Sequence, residues 1–173
     1  ALPILYALDV SEKRLARLKP RLARSGLSNV YPVLIAHEND AKIKRLAGKL
    51  DRVLVDAPCS GLGTLRRNPD MKWRQQVQDI VELNAKQRAI LASAARLVKP
   101  GGRLVYATCS LLSEENEDIV RDFLDANADF QLRPISDVTA EQKLPLNMGE
   151  FLQLLPHRHH TDGFFAAVLE KKS

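Results

Sequence analysis

The stretch DRVLVDAPCSGLGT, residues 51–64, joins a run of apolar residues to an acid and then to a loop with proline and glycine. A continuous apolar run of this length is typical of a strand in a parallel sheet that is covered on both faces. We predict that the strand ends near Asp56, which leaves Asp56 and Cys59 at its carboxyl end. Gly61 and Gly63 then allow the loop to pass close to a ligand.

Further strands are predicted on both sides of this stretch. They cover ILYALDV (4–10), NVYPVLIA (29–36) and RLVYATCS (103–110), with shorter candidates in DFQLRP (129–134), FLQLLP (151–156) and GFFAAVLE (163–170). Helical spacing of apolar residues lies between them. This alternation favours an open, doubly wound α/β sheet.

The predicted helices have recognisable start and stop signals. Ser11 caps the first helix, which Gly26 closes and in which Pro20 predicts a kink or an early stop. A short helix leads through Ile43 to Gly48, a long one covers about 75–97, and Ser113 caps another. An acidic segment, residues 113–129, is interpreted as a solvated helix face.

Polar or reactive residues lie at or just beyond the carboxyl ends of the predicted strands, where sheets of this class bind ligands. We expect one crevice to collect Asp9, Asp40, Asp56, Cys59 and Cys109. Because Ser11 is the better cap, Asp9 is left free to accept hydrogen bonds from the ribose of a nucleoside cofactor. Asp40 either accepts from an adenine amino group or caps the next helix, and both interpretations stay open.

The two cysteines carry the sharper signal, although a single free cysteine is usually a small buried apolar residue. Cys59 follows a proline in a turn with glycine, and Cys109 lies between Thr108 and Ser110 at a strand end, so both face a crevice. A reducing compartment disfavours a disulfide. Zinc would need the histidines at 157, 159 and 160, but the cysteines lack the close pairing of a structural site, and no metal is predicted.

A thiolate opposite a nucleoside cofactor suits methyl transfer to carbon 5 of a pyrimidine. That carbon becomes nucleophilic only after a thiolate has added to carbon 6. Four basic residues directly follow the quoted stretch and are predicted to lie in a loop beside this site; they are Arg66, Arg67, Lys72 and Arg74.

Size and composition set the outer limits. The 173 residues, 45% of them hydrophobic, fit one folded domain, and the formal net charge of +5 permits an anionic partner without requiring one. No apolar run is long enough for a membrane span, and the first residues are too short and interrupted for a signal peptide. A cytoplasmic protein is therefore expected.

Three segments together resemble the NOP/Sun family of RNA cytosine-5 methyltransferases, and within it the bacterial Sun-like ribosomal RNA enzymes. They are DAPCSGLGTLRRNPDMKW (56–73), PGGRLVYATCSLLSEENEDIV (100–120) and the closing LLPHRHHTDGFFAAVLEK (154–171). The resemblance covers nearly the whole chain. It implies a Rossmann-like class I S-adenosylmethionine-dependent methyltransferase fold and methylation of cytosine in RNA, with 16S ribosomal RNA as the expected substrate.

The resemblance also implies a role for each site residue. The Thr-Cys-Ser cysteine, Cys109, matches the family's nucleophile, and the Pro-Cys cysteine, Cys59, matches the residue that assists release of the methylated product. Asp9, Asp40 and Asp56 match contacts to S-adenosylmethionine, and Asp56 is close enough to Cys59 to touch the target base. The basic residues after the quoted stretch would lie on the RNA side.

One departure from the family pattern limits these expectations. The glycine-rich cofactor loop that should precede the strand ending in Asp9 is absent from these residues. The family's first strand, which belongs beside the strand ending in Asp56, and its RNA-binding amino-terminal region are absent as well. Residues 1–173 are therefore expected to be the carboxyl-terminal part of one catalytic domain, inactive by itself. The alternatives are a transfer RNA cytosine-5 methyltransferase and a non-catalytic RNA-binding or assembly module that has lost cofactor binding.

Overall fold

The computed structural model describes residues 3–74 and 76–173, and the chain divides into two compact units, Ala1–Arg45 and Leu46–Ser173. The start predicted for the long helix, about Gln75, lies outside the described residues. Each unit has its own sheet, and strands alternate with helices in both.

The first unit contains two parallel strands and two helices. Its elements are β1 (Leu5–Asp9), α1 (Glu12–Ser25), β2 (Val30–Leu34) and α2 (Ala41–Lys44). As predicted, Ser11 caps α1 by accepting from the Arg14 N–H, and Gly26 ends it in the left-handed conformation at φ 70°.

Pro20 lies inside α1 without ending the helix, so the expected early stop is wrong. Proline removes one N–H and frees the carbonyl four residues earlier. The helix has no buried residue, and water can therefore bind that carbonyl at low cost.

The second unit contains a sheet of five strands. Its elements are β3 (Leu50–Asp56), α3 (Met71–Arg74), α4 (Val77–Ala95), β4 (Val98–Thr108), α5 (Glu117–Ala126), β5 (Phe130–Arg133), α6 (Ile135–Glu141), β6 (Leu152–Leu154), α7 (Pro156–His159) and β7 (Phe164–Lys171). The strand order is β3-β4-β7-β5, with β6 also paired to β7. Because β3 and β4 are parallel while β7 runs antiparallel to its neighbours, the sheet is mixed.

The core of this unit lies between the sheet and the helices α4 and α5. Leu91 of α4, Leu104 of β4, Ile119 of α5 and Leu169 of β7 are completely buried. Leu54 of β3 is 69% exposed, although its strand was expected to be covered on both faces. Val53 and Val55 on either side of it face the core, so Leu54 lies on the opposite face of β3.

Several element boundaries differ from the sequence prediction. β4 begins at Val98 and includes the PGG segment, where the register against β3 shifts between Leu50 and Arg52. Ser113 does not cap α5; it begins a 3₁₀ turn, Ser113–Glu115, and Asn116 occupies the cap position. The side chains of Glu115 and Asn116 bond to the loop after β4, which explains the extra turn before the helix.

Three loops meet at the carboxyl ends of β3 and β4. The Gly63 N–H donates to the Cys109 carbonyl at 2.8 Å, and the Gly163 N–H donates to the Gly63 carbonyl, also at 2.8 Å. A Cβ atom at Gly63 would lie 2.7 Å from the Cys109 oxygen and would overlap the Gly163 carbonyl. The contact between these backbones therefore requires glycine at position 63.

We predict that Gly63→Ala destabilises the protein by about 1–3 kcal/mol, because the added methyl group forces the three loops apart. Gly149→Ala is the matched control, since a Cβ there meets no atom within 4 Å. Urea denaturation of the two variants checks this expectation. Equal free energies of unfolding for both variants would contradict the close approach of the loops.

Candidate active site

The Cys59 and Cys109 sulfur atoms lie 3.4 Å apart and form a hydrogen bond. Cys59 follows the end of β3 by three residues, and Cys109 directly follows β4. The two strands are adjacent and parallel, with Asp56 opposite Ala107, so their carboxyl ends meet at one edge. Both cysteines are free and partly buried, and their separation is well beyond the S–S bond length of about 2.05 Å.

The two thiols have opposite acidities. The hydrogen bond from Cys59 lowers the pKa of Cys109 from 9.0 to about 7, against the opposing effects of burial and of the Asp56 and Glu115 charges. The same hydrogen bond, together with burial, raises the pKa of Cys59 well above its ordinary value. Near neutral pH, Cys109 is therefore available as a thiolate while Cys59 keeps its proton, and thiolate is the nucleophilic form.

A buried polar network lies behind the cysteines. Ser60, Ser110 and Glu115 are almost completely buried and hydrogen-bonded to one another, and Gln87 of α4 joins them. The sequence prediction missed this network, because Glu115 falls in the acidic segment interpreted as a solvated face. The available signal was that each serine directly follows a cysteine.

The four basic side chains after Cys59 are exposed to solvent, but Lys72 and Arg74 lie in α3 and not in the predicted loop. Arg67 forms an ion pair with Asp162 at 2.9 Å, and Arg74 forms one with Asp70 at 2.7 Å. The Lys72 ammonium lies 5.1 Å from the centre of the Trp73 ring. Arg66 is also exposed. The RNA-facing role of these four basic residues stays a prediction.

Comparison with known proteins now assigns the chain to a family. Residues 2–170 match the family described as 16S rRNA methyltransferase RsmB/F. The chain belongs to the RsmB/F family. It is similar to the probable ribosomal RNA small subunit methyltransferase B of Synechocystis sp., at 40% identity over 167 residues that cover 96% of this chain and 37% of the relative.

Further relatives and solved structures are also similar to this RsmB/F chain. Ribosomal RNA small subunit methyltransferase B of Shewanella oneidensis is 40% identical over 169 residues, which cover 96% of this chain and 37% of that protein. The chain thus spans a little over a third of the length of these curated relatives. NSun6 from Pyrococcus horikoshii with SFG has a TM-score of 0.80 at 29% identity, over 98% of this chain and 42% of the other. A methyltransferase homologue from the same organism has a TM-score of 0.76 at 31% identity, over 97% and 53%.

The RsmB/F assignment confirms the predicted family and an α/β methyltransferase-like fold. The two cysteines lie together as expected, and the charge of Asp56 acts on Cys109, whereas a ligand crevice around them stays a prediction. Asp9 and Asp40 belong to the first unit, so their place in that crevice stays a prediction.

In the first unit of this RsmB/F chain, both carboxylates already have partners. Asp9 is not left free as expected: it accepts from the Ser11 N–H at 2.7 Å and from the Arg14 guanidinium at 2.8–3.0 Å, and this contact lowers its pKa. Asp40 caps α2, accepting from the Lys42 and Ala36 N–H groups at 2.8 Å. Neither observation tests the expected contact to a cofactor.

The described part of the chain shows neither a metal-binding cluster nor a membrane-spanning helix. Within residues 3–74 and 76–173, histidine, cysteine and acidic side chains form no group of three that could hold a metal ion. His159 instead accepts from the Leu155 N–H at 2.9 Å. None of the helices in those ranges has the length and apolar character needed to cross a bilayer.

The acidity difference predicts selective alkylation in this RsmB/F protein. Iodoacetamide should modify Cys109 first, with a midpoint near pH 7 since its pKa is about 7. Cys59 should react only afterwards, because its contact with Cys109 keeps its pKa well above the ordinary value until Cys109 is blocked. Mass spectrometry of the two cysteine peptides across a pH series measures both rates. In Cys59→Ala the midpoint for Cys109 should rise toward 9, because the hydrogen bond that lowers its pKa is lost. An unchanged midpoint in that variant would refute the role of the thiol contact.

Proposed function

We propose that this chain is the catalytic carboxyl-terminal part of an enzyme that transfers a methyl group from S-adenosylmethionine to carbon 5 of cytosine in 16S ribosomal RNA. The observation that supports it most directly is the contact of Cys59 with Cys109, 3.4 Å apart, in a member of the RsmB/F family. A non-catalytic binding module has no use for two thiols of opposite acidity at one edge of the sheet.

The donor set in the chain suits a nucleoside cofactor in chemistry. Asp56 is exposed at the end of β3, and a carboxylate there can accept hydrogen bonds from hydroxyl or amino groups. Asp9 and Asp40 are acceptors of the same kind, but each would first exchange a protein donor, Arg14 or a backbone N–H, for the cofactor. Asp56 is the residue that fits as it stands.

The reaction proposed for Cys109 begins with attack of its thiolate on carbon 6 of cytosine. This attack forms an Sγ–C6 bond and makes carbon 5 nucleophilic. Bound S-adenosylmethionine would supply an electrophilic methyl group to carbon 5, and its sulfur would leave as the neutral thioether of S-adenosylhomocysteine. Carbon 5 must then lose its proton, after which the Sγ–C6 bond breaks and Cys109 leaves as a thiolate.

Cys59 is suited to the release step. Its hydrogen bond to Cys109 is the largest cause of its raised pKa. Once Cys109 is bonded to carbon 6, it is no longer a thiolate, and the pKa of Cys59 falls toward its ordinary value. Cys59 can then lose its own proton and accept the one on carbon 5. In its absence the proton stays and the covalent adduct persists.

The exposed basic side chains after Cys59 support an RNA partner. Lys72 and Arg66 lie within fifteen residues of Cys59 along the chain. Basic side chains near a nucleic-acid site usually contact its phosphate groups. Ribosomal RNA is proposed because the relatives are named as ribosomal RNA enzymes. The base must be drawn out of a stack or loop to reach Cys109. A cytoplasmic location remains an expectation.

The cysteine roles predict distinct outcomes for two variants of the full-length protein. Cys109→Ala should lose methylation of 16S ribosomal RNA by orders of magnitude, because the nucleophile is gone. Cys59→Ala should accumulate an RNA adduct that survives a denaturing gel.

The double variant, which lacks both thiols, is the control and should give no adduct. An adduct in Cys109→Ala would reverse the two roles, and full activity of both single variants would exclude the thiol mechanism. Transfer RNA run beside ribosomal RNA in the same assay identifies the substrate.

We also propose that a strand outside this chain, carrying the glycine-rich loop, pairs with the exposed edge of β3. The 173 residues alone should then bind S-adenosylmethionine at least roughly tenfold more weakly than the full-length protein, a difference of about 1.4 kcal/mol. Isothermal titration calorimetry of both proteins measures the two affinities. Equal and tight binding by the chain alone would contradict the proposed need for that strand.

A further inference from the structure

Glu115 is a completely buried carboxylate at the end of the 3₁₀ turn Ser113–Glu115. A buried charge is costly unless it is hydrogen-bonded. Here each oxygen accepts two hydrogen bonds: Oε1 from the Ser60 N–H at 2.8 Å and Gln87 Nε2 at 3.1 Å, and Oε2 from the hydroxyls of Ser60 and Ser110, both at 2.5 Å. Four donors therefore converge on one side chain.

The donors come from the segments that carry the two cysteines. Ser60 directly follows Cys59, and Ser110 directly follows Cys109, fifty residues later in the chain. Gln87 of α4 also donates to the Pro58 carbonyl at 2.9 Å, so the residue before Cys59 is held as well. Glu115 thus bonds to the neighbours of both thiols, from a third segment of the chain.

We propose that Glu115 is a positioning residue that holds the Cys59 thiol in hydrogen-bonding contact with Cys109. The inference rests on the proposed function for its significance, but its evidence is the set of contacts around the carboxylate. Gly63 ties the two loops through the backbone at a second point. Ser60 and Ser110 are each bonded covalently to a cysteine, so their hydrogen bonds to Glu115 restrain the backbone that carries each thiol.

The charge of Glu115 provides a way to separate positioning from direct electrostatics. Three titratable groups act on Cys109: Cys59 in the loop after β3, Asp56 at the end of β3, and Glu115. The hydrogen bond from Cys59 lowers the pKa of Cys109 and is the largest effect, whereas the charges of Asp56 and Glu115 raise it. Removing only the charge of Glu115 would lower the pKa of Cys109, while loss of the Cys59 contact would raise it.

Glu115→Gln tests the proposal in this chain by the pH dependence of Cys109 alkylation with iodoacetamide. The amide nitrogen cannot accept from the two serine hydroxyls, so the charge-assisted contacts at 2.5 Å are lost and at best replaced by longer, neutral ones in which the hydroxyls accept. We expect the midpoint to rise above pH 7, with the rate at pH 7 falling roughly tenfold for each unit of the rise. Cys59 should at the same time become easier to alkylate.

Glu114→Gln is the matched control, because it removes the same charge from the exposed neighbouring residue. Its midpoint should not move. A fall of the midpoint in Glu115→Gln, or an unchanged midpoint, would show that loss of the Cys59 contact does not outweigh loss of the Glu115 charge. Either result overturns the proposal.

Ser60→Ala keeps the test valid if Glu115→Gln fails to fold, as judged by its thermal unfolding. This variant removes one hydroxyl and leaves the Ser60 N–H contact in place. Ser60→Ala should raise the alkylation midpoint of Cys109 by less than Glu115→Gln does. The Ser113 hydroxyl bonds to Glu114, so Ser113→Ala should leave the midpoint unchanged. No shift in a folded Ser60→Ala would likewise overturn the proposal.

Alkylation requires neither RNA nor cofactor, so this result is independent of the proposed function. If methylation is absent from the full-length protein but Glu115→Gln shifts the midpoint upward, the positioning role stands and the proposed function fails. If methylation is present and the midpoint does not rise, the proposed function stands and the positioning role of Glu115 fails.

Discussion

The parallel pairing of β3 with β4 is the constraint on which the candidate site depends. It brings Asp56 opposite Ala107, so that the loops carrying Cys59 and Cys109 leave the sheet at the same edge. Without this pairing, two cysteines fifty residues apart would have no reason to meet. The Gly63 and Gly163 backbone contacts then fix the loops, and the buried Glu115 network orients the residues next to the sulfur atoms.

The consequence for chemistry is that two chemically identical side chains acquire different properties. A single hydrogen bond, from one thiol to the other, lowers the pKa of Cys109 and raises that of Cys59. Nucleophilic attack needs a thiolate, whereas release of the product needs a group that changes its protonation state later. The same contact therefore supports both proposed roles, and its disappearance on formation of the covalent adduct is what lets Cys59 take part.

Much of this arrangement could be predicted from the sequence. Apolar runs identified β1 to β4, and the strand ends correctly predicted that Cys59 and Cys109 would meet. Three features could not be predicted, because they depend on tertiary contacts. Pro20 is tolerated because α1 is exposed, and Leu54 is exposed because it lies on the face of β3 opposite the core. Glu115 is buried although its segment is rich in acids. The antiparallel direction of β7 likewise follows from the path of the chain through α6, β6 and α7.

The central claim is that Cys109 forms the bond to carbon 6 of the target cytosine. RNA that contains 5-fluorocytidine tests this claim in the unaltered full-length protein. Fluorine at carbon 5 cannot leave in the way that a proton does, so the covalent adduct persists. Proteolysis and mass spectrometry then identify the peptide that carries the nucleotide. The account predicts a single modified peptide that contains Cys109. Modification of the peptide that contains Cys59 instead would contradict it.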